Sequence, residues 1–496
     1  MTNVELMREE NITLDKFWDI ANDLFYHEGS ESEHRCSEDR INMLLVNYIT
    51  LVCEHCEQLT TPDKEDQFYH EISDFVVNLD DYQLNLQFCI RKMLSLLTYG
   101  VDRNKFNLEL EIDHLDSDVQ DQINMSIMTN EKLIKIIGWI LIVNYQSEKQ
   151  KVLDILKEFH GFETLADVLS NYARISRNTH DKDPYVFNYS TYLELSFELC
   201  KNYEFDTSEL AHISTQLLEY LFHSLKVAPK DDDILNFLKF KLLLVLNEQF
   251  MVAHFSYIAE NPTHQMENRF FVKMTENSQH FQNFNEVLIL NFNREEDPVI
   301  RILILKVFYL VFTTSNTCSN LYVNDLRLII DIMIRELFNL SIVNEEALIN
   351  TYLRVLYPML LFSSIKDGRY KRESLYEVLK YLTAAEQTTE TTRRLAERCL
   401  LLDFFVEPTP SPIALKPSFP QTLIRHDSSQ SSIMSELESP DSPTPLPFDR
   451  TRSNSSSSSL DSKGVRRRKP PPPPPRRYNQ RNGSELLLSR AKVGNK

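Results

Sequence analysis

Three apolar stretches between residues 299 and 362 decide the fold class of this chain. They read VIRILILKVFYLVF at 299–312, LYVNDLRLIIDIMIRELFNL at 321–340 and EEALINTYLRVLYPMLLF at 345–362. In the second stretch, Leu326, Ile330 and Met333 recur every three or four residues, the spacing of one helical face. Since most other positions are apolar too, we expect neighbouring helices to cover each of these helices on two or more sides.

Helix-boundary signals support this interpretation. Asp297 and Pro298 stand where an N-cap and a first-turn proline are favoured, and Asp206 with Glu209 resembles a capping box ahead of a helix at 210–225. Gly100 predicts the end of a helix that runs from 82 to 99, and residues 101–128 are polar enough to predict a loop with one helical turn.

Helices of this kind recur in pairs or triples roughly every forty residues, a period typical of armadillo and HEAT arrays. The sequence therefore predicts an all-α fold: an armadillo/HEAT-like helical solenoid over residues 1–405, followed by a disordered, proline-rich C-terminal tail over 406–496. Fifteen of the 21 prolines lie in that tail, and residues 427–462 are rich in serine, aspartate and proline. Such a segment buries too little apolar surface to fold.

A run of six prolines in the tail, Pro470 to Pro475, is the strongest local motif. Its basic flanks are Arg466, Arg467, Arg468, Lys469, Arg476 and Arg477. The full run is Pro470, Pro471, Pro472, Pro473, Pro474 and Pro475. Prolines set a polyproline II helix before a partner binds, and SH3 grooves take two x-Pro pairs with one basic residue. We predict an SH3 ligand over 466–477 rather than a stiff, charged spacer.

Serines in the tail form kinase-target patterns. Ser439 and Ser442 precede prolines, and Ser455 follows Arg450 and Arg452 in a basophilic spacing. Phosphates at such sites would weaken the positive field of the arginine cluster. Serine-rich segments also contain these patterns by chance, so they are possible phosphosites only.

Charge divides the chain. The tail from Glu407 holds 15 Lys+Arg against 8 Asp+Glu, which gives +7; the whole chain carries −19, so the body carries −26. A body this acidic predicts no nucleic-acid binding, because phosphate contacts require a basic face. The N-terminal MTNVELMREE has no apolar run and no stretch is long enough to span a bilayer, so we expect a cytoplasmic protein without a transmembrane segment.

Candidate metal and catalytic residues are few. His34, Cys36, Cys53 and Cys56 resemble a set of zinc ligands, but the last two fall inside a predicted helix, and the seven cysteines suit a reduced compartment. The sequence contains no phosphate-binding loop, nucleophile elbow or zinc-protease motif. We therefore expect no metal, no cofactor, no catalytic residue and no enzymatic activity.

Three polar residues interrupt the helix at 321–340. Arg327, Asp331 and Arg335 are spaced four apart on one face, which predicts ion pairs along that stripe. Arg354 stands alone on the next apolar helix. Internal pairing is the simpler expectation for these cations, and a partner contact is the alternative.

The runs LYVNDLRLIIDIMIREL (321–337) and LINTYLRVLYPMLL (348–361) resemble the leucine-rich domain of the WISH/DIP/SPIN family of actin regulators. The match is clear over about 295–362, inside a family-like core of about 200–390, and Val323 replaces the Thr of the family pattern. The resemblance implies an armadillo-like domain that binds the actin-related protein 2/3 complex and activates it without a preformed filament.

The same resemblance implies linear actin filaments seeded at endocytic cortical actin patches. SH3-containing endocytic proteins would recruit the chain there through 466–477. The alternative is an adaptor that links SH3 proteins to other cargo without nucleating actin, and a third is a protein that binds anionic lipid through its basic clusters. The sequence leaves open the solenoid face used, the SH3 partner, phosphorylation of the tail and the oligomeric state.

Replacing Arg466–Arg468, Arg476 and Arg477 by alanine tests the SH3 prediction. We expect the affinity of SH3 domains for the full chain to fall about tenfold or more, because the motif loses the arginines that bind the SH3 groove while its prolines remain. Pulldown with immobilised SH3 domains measures this. The matched control replaces Arg450 and Arg452, which lie in the same tail outside the motif, and equal loss in both variants would contradict the prediction.

Overall fold

The computed structural model describes residues 12–26, 38–109, 117–178, 189–227, 234–260 and 267–406. Within these ranges all regular structure is helical. The α-helices, in chain order, are α1 (Leu14–Tyr26), α2 (Glu38–Leu59), α3 (Glu65–Val77), α4 (Asp80–Leu84), α5 (Leu86–Glu109), α6 (Ser117–Ser147), α7 (Lys149–Glu158), α8 (Gly161–Asn178), α9 (Ser190–Asn202), α10 (Thr207–Leu210), α11 (Thr215–Ser224), α12 (Ile234–Glu260), α13 (Arg269–Glu276), α14 (Ser278–Arg294), α15 (Pro298–Thr313), α16 (Ser315–Ser319), α17 (Val323–Asn339), α18 (Glu346–Phe362), α19 (Ile365–Gly368), α20 (Arg372–Ala384) and α21 (Glu390–Leu400). A 3₁₀ turn, Pro62–Lys64, precedes α3.

The helices pack with a period of three. Helices α3, α6, α9, α12, α15, α18 and α21 each contact the next in that series and form ladder A. Helices α2, α5, α8, α11, α14, α17 and α20 form ladder B in the same way. From α5 onward each ladder B helix also packs on the ladder A helix that follows it, and short helices from α4 to α19 make the links. This is the three-helix repeat of an armadillo-like solenoid, and it confirms the all-α prediction.

Ladder A carries the most thoroughly buried helices. In α15, Ile304, Val307, Phe308 and Val311 are fully buried, and α12 is covered almost as completely along its middle. Ladder B lies against one side of these helices and the neighbouring ladder A helices cover two others. The apolar stretches at 299–312 and 345–362 are therefore ladder A helices, and their coverage matches the expectation from their composition.

Two boundary predictions are confirmed in detail. Asp297 caps α15 by accepting the Val299 backbone N–H on Oδ1 at 2.8 Å. Asp206 Oδ1 accepts the backbone N–H of Glu209 at 2.9 Å, and Glu209 Oε2 accepts that of Asp206 at 3.0 Å, which completes a capping box. The box starts only the single turn of α10, however, and a second cap at Ser214 starts α11.

The prediction around Gly100 is wrong. Helix α5 runs through Gly100 to Glu109, and α6 begins at Ser117, so most of 101–128 is helical rather than loop. Gly100 faces α6, where an added Cβ would lie 3.4 Å from Ile134. Its small size serves a close helix–helix approach and not a turn.

A buried polar cluster joins α5, α6 and the start of α9. Asn104 Nδ2 donates to Glu131 Oε1 at 2.7 Å, and the Tyr189 hydroxyl donates to the other carboxylate oxygen. Burial raises the pKa of Glu131 to about 7, although both hydrogen bonds favour the charged form. Each of the three side chains finds a partner, so the cluster fixes the register of the helices that meet there.

Helix α6 crosses α9 at Gly138, where the backbones come closest. A Cβ at this position would lie 2.6 Å from Thr191 Oγ1 and 2.7 Å from the Tyr192 ring. Tyr192 is fully buried, and its hydroxyl donates to the Ile134 carbonyl, so the ring cannot swing aside.

Gly138→Ala should lower the free energy of unfolding by about 1–3 kcal/mol, because the added methyl forces α6 and α9 apart. Thermal unfolding followed by circular dichroism at 222 nm measures the change. Gly368→Ala is the matched control: no heavy atom lies within 4 Å of its added Cβ, and we expect an unchanged or slightly higher melting temperature. Equal melting temperatures for the two variants would show that the α6–α9 approach is not tight.

Candidate interaction surface

Ladder A leaves a narrow, half-exposed row of side chains on its C-terminal helices. We call it the basic–aromatic stripe, and its members are Lys306, Tyr309, Arg354, Tyr357 and Arg398. The first two lie on α15, the next two on α18 and the last on α21. Steps of three residues within α15 and α18 keep each pair on one face. Because every other face of α15 and α18 is packed, this row is what those helices offer to a partner.

Close contacts hold the stripe in place. The guanidinium of Arg398 lies over the Tyr357 ring, 4.0 Å from its centroid, and so joins α21 to α18. Burial raises the pKa of Tyr309, while the positive charges of Arg398 and Arg354 oppose that rise. Tyr309 is therefore within electrostatic reach of both arginines, and the stripe is one continuous patch.

Lys306 marks the N-terminal end of the stripe. Its Nζ bonds to Glu248 Oε1 on α12, and the two side chains are only 18% and 16% exposed. Burial lowers the pKa of Lys306, which the negative charge of Glu248 partly offsets.

The N-terminal continuation of ladder A is acidic and aromatic. Glu194 on α9 is buried, and that burial raises its pKa to about 7 despite the nearby Lys241 ammonium. Lys241 on α12 lies 4.3 Å from the centroid of the Phe197 ring and 5.6 Å from that of Phe237. Here the cation is covered by aromatic rings, whereas on α21 Arg398 is exposed.

A buried ion pair supports the stripe from beneath. Arg301 Nη1 on α15 donates to Glu336 Oε2 on α17 at 2.7 Å, and Arg301 Nε donates to the Glu295 carbonyl at 2.6 Å. Arg335 donates to the other oxygen of Glu336 and, at 2.9 Å, to Asn293 Oδ1. Both Arg301 and Glu336 are under 10% exposed. These bonds lock α15 to ladder B at the level of the stripe.

The predicted ion pairs within α17 are wrong. Asp331 instead pairs with Lys371 at 2.8 Å and accepts a hydrogen bond from the Tyr370 hydroxyl at 3.1 Å. Arg327 stacks over the Tyr370 ring, and Arg335 turns to Glu336. The spacing along α17 correctly indicated that Asp331 and Arg335 form ion pairs, but it did not identify their partners. Tyr370 and Lys371 lie in the link between α19 and α20, which contacts α17 only in the folded array.

Helix α18 contains a proline within its last turns. Pro358 is buried, and the helix continues past it to Phe362. Since proline has no N–H, the carbonyl of Arg354 lacks its usual intrahelical donor.

Other predicted site residues divide between described and undescribed parts of the chain. The SH3 motif at 466–477 and the serines 439, 442 and 455 lie outside the described residues, as do His34 and Cys36. Cys53 and Cys56 lie in the middle of α2, as expected, where burial raises the pKa of the Cys53 thiol to about 12. In the ranges that the structure describes, no three potential metal ligands come together, and no helix is long and apolar enough to cross a membrane.

Sequence reasoning singled out only one member of the stripe as a possible contact. Arg354 is recognisable as a cation on an apolar helix, whereas Lys306 is one of two charges within the apolar run at 299–312. Nothing in the sequence pointed to Arg398, because α21 is polar throughout. The sequence signal that could have located the stripe is a single polar residue on an otherwise buried helix, repeated on successive ladder A helices.

Comparison with known proteins places four of the five stripe residues within a recognised domain. Residues 232–375, from α12 to the start of α20, match the family described as SPIN90/Ldb17, leucine-rich domain. Over these residues the chain is similar to the SPIN90/Ldb17 family. It is 26% identical to Protein LDB17 of Saccharomyces cerevisiae over 418 residues, 79% of this chain and 81% of that one.

Two further relatives agree. Protein LDB17 of Eremothecium gossypii is 26% identical over 420 residues, 77% of this chain and 80% of that one. Protein dip1 of Schizosaccharomyces pombe is 28% identical over 347 residues, 68% of this chain and 86% of that one. The SPIN90/Ldb17 match is wider than the 295–362 segment that carries the visible resemblance, and it contains four of the five stripe residues.

Glu336→Gln tests the ion pair beneath the stripe. We expect the free energy of unfolding to fall by about 3–5 kcal/mol, because Arg301 stays buried without a counter-charge. Chemical denaturation at neutral pH measures it. The matched control is Glu390→Gln, which breaks the exposed Arg393–Glu390 pair and should cost under about 1 kcal/mol. Similar decreases in the free energy of unfolding for both variants would contradict this prediction, by showing that water solvates Arg301.

Proposed function

We propose that this chain binds and activates the actin-related protein 2/3 complex without a preformed filament and so seeds linear actin filaments. Similarity to the SPIN90/Ldb17 family, which is linked to actin regulation, carries the proposal. A solenoid with a fixed charged stripe is the kind of surface that such a role requires. The partners are then the complex, actin, and SH3-domain endocytic proteins.

The basic–aromatic stripe is the docking surface in this proposal. Lys306 and Arg354 stand on the largely buried helices α15 and α18, and the Arg301–Glu336 pair fixes α15 to α17. A surface held this firmly loses little conformational freedom on binding, and its exposed arginine and tyrosines belong to the residue types enriched at interfaces. An acidic face on the target would complement it.

Activation follows from differential affinity. A rigid surface that fits the active conformation of the complex better than the inactive one shifts the population toward activity. A shift from 1% to 99% active needs about 5.5 kcal/mol of differential binding. No bond is made or broken in this step, so we propose that the protein is not an enzyme and needs no cofactor.

Recruitment is assigned to the tail. In the proposal, SH3-containing endocytic proteins bind 466–477 and hold the solenoid at cortical actin patches in the cytoplasm. Tethering raises the local concentration of the solenoid without any new contact to the complex. The proline-rich segment thus sets where nucleation happens and the solenoid sets whether it happens.

Actin polymerisation with purified full chain, the complex and no preformed filaments tests this function. We expect the wild-type chain to shorten the lag, and Arg398→Glu to raise the concentration needed for half-maximal effect about tenfold or more by reversing an exposed charge of the stripe. Lys380→Glu is the matched control, since Lys380 is an exposed cation 5.6 Å from the ring centroid of Tyr376 on ladder B. Fluorescence of labelled actin reports the lag.

Two outcomes would contradict the proposal in different ways. No acceleration by the wild-type chain over the complex alone would reject nucleation and favour the adaptor alternative. Acceleration that Arg398→Glu and Lys380→Glu reduce equally would keep the activity but move the docking surface away from the stripe.

A further inference from the structure

Helices α6 and α9 enclose two buried carboxylates, one on either side of their crossing. Glu131 on α6 is 1% exposed, and Glu194 on α9 is 2% exposed. Between them the helices meet at Gly138, where an added Cβ would lie 2.6 Å from the Thr191 hydroxyl oxygen. Two groups that can gain a negative charge therefore flank a contact that leaves no room for a methyl group.

Only neutral groups surround the carboxylate of Glu131. Asn104 Nδ2 on α5 donates to Oε1 at 2.7 Å, and the hydroxyl of Tyr189, at the N-cap of α9, donates to Oε2. The other titratable groups that face it are the phenols of Tyr192 on α9 and Tyr172 on α8. Hydrogen bonds satisfy this carboxylate, but they supply no positive charge.

Lysines on the same helix do not compensate Glu131. Lys132 Nζ pairs with Glu57 on α2 at 2.8 Å, and Lys135 Nζ pairs with Glu65 on α3 at 2.6 Å. Within the described ranges of the chain, no lysine or arginine forms an ion pair with Glu131. An ionised carboxylate at this position is therefore buried without a counter-charge, which favours its neutral form.

Glu194 faces charges of both signs. Lys241 on α12 and Lys149 on α7 attract its negative charge, whereas Glu198 on the same helix repels it, and Tyr145 faces it from α6. Its Oε2 is buried and accepts no hydrogen bond from the residues that the structure describes. A buried carboxylate oxygen without a donor also favours the protonated group.

Burial raises the pKa of both Glu131 and Glu194 to about 7. If α6 and α9 separate and water enters, the two carboxyls return to an ordinary pKa of about 4.5. The closed contact then holds protons that the open one releases. Its stability is complete below about pH 4.5, falls as the pH rises toward 7 and is constant above that, and within this window each carboxyl favours opening about tenfold per pH unit.

We propose that the α6–α9 contact is a pH-sensitive joint of the solenoid, tight when Glu131 and Glu194 are protonated and easily opened when they are ionised. Opening admits water on both sides of Gly138 and loosens the repeats before α9 from those after it. The joint includes no residue of the basic–aromatic stripe and no actin component, so it is independent of the proposed function.

Hydrogen exchange of the full chain, followed by mass spectrometry, tests the joint. Each exchange rate is divided by the rate of an unstructured peptide at the same pH, which gives a protection factor. From about pH 6 to about pH 8, we expect the protection factors of residues 131–145 and 190–199 to fall about tenfold or more, because ionisation favours opening. Residues 346–362 of α18 are the internal reference and should keep theirs.

Glutamine at both positions imitates the neutral carboxyls at every pH. In Glu131→Gln/Glu194→Gln we expect protection factors at pH 8 close to those of the wild-type chain at pH 6. Either single variant should retain the part of the pH dependence that belongs to the other carboxyl. The matched control is Glu158→Gln, which changes an exposed carboxylate on α7 that accepts from Gln87 and should leave the wild-type pH dependence intact.

Three results would overturn the proposal. The first is a wild-type chain whose protection factors in α6 and α9 do not change with pH. The second is a double variant that keeps the full pH dependence. The third is a double variant, or both single variants, that fails to fold, because a joint held by neutral carboxyls must tolerate their neutral substitutes.

Discussion

The structure depends on one constraint: no single repeat of this chain can bury its own apolar surface. Helices such as α15 and α18 are apolar on nearly every face, so each needs a neighbour on both sides and a third helix from ladder B across its back. Stacking by threes satisfies all of them at once. The long ladder A helices and the short links between repeats are two results of the same requirement.

The same constraint decides where charge can lie. On helices packed this closely, a charged side chain is either paired in the interior or placed on the one remaining strip of surface. Arg301 is paired in the interior, with Glu336 and the Glu295 carbonyl as partners, whereas Arg354 lies on the surface strip. Burial of ions costs more than it returns unless every donor is satisfied, so Arg301–Glu336 serves registry between the ladders more than stability. The stripe is held in place because the Arg301–Glu336 pair beneath it fixes α15 to α17.

Particular errors show where sequence reasoning fails in an array. Gly100 has the sequence signature of a helix end, yet α5 continues through it to Glu109. The capping box at Asp206 is real, but the helix expected after it is divided by a second cap at Ser214.

By itself the sequence determined the fold class, a repeat of two or three helices and the caps at Asp297 and Asp206, because burial pattern and capping are local properties. It also carried the resemblance to the SPIN90/Ldb17 domain. Only the tertiary structure decided that Asp331 pairs with Lys371, that Gly138 sits at a helix crossing, and that Lys306, Arg354 and Arg398 form one stripe. These residues lie up to 92 positions apart (398 − 306). Their proximity follows from the angle and register of stacked helices, which no spacing along one helix can specify.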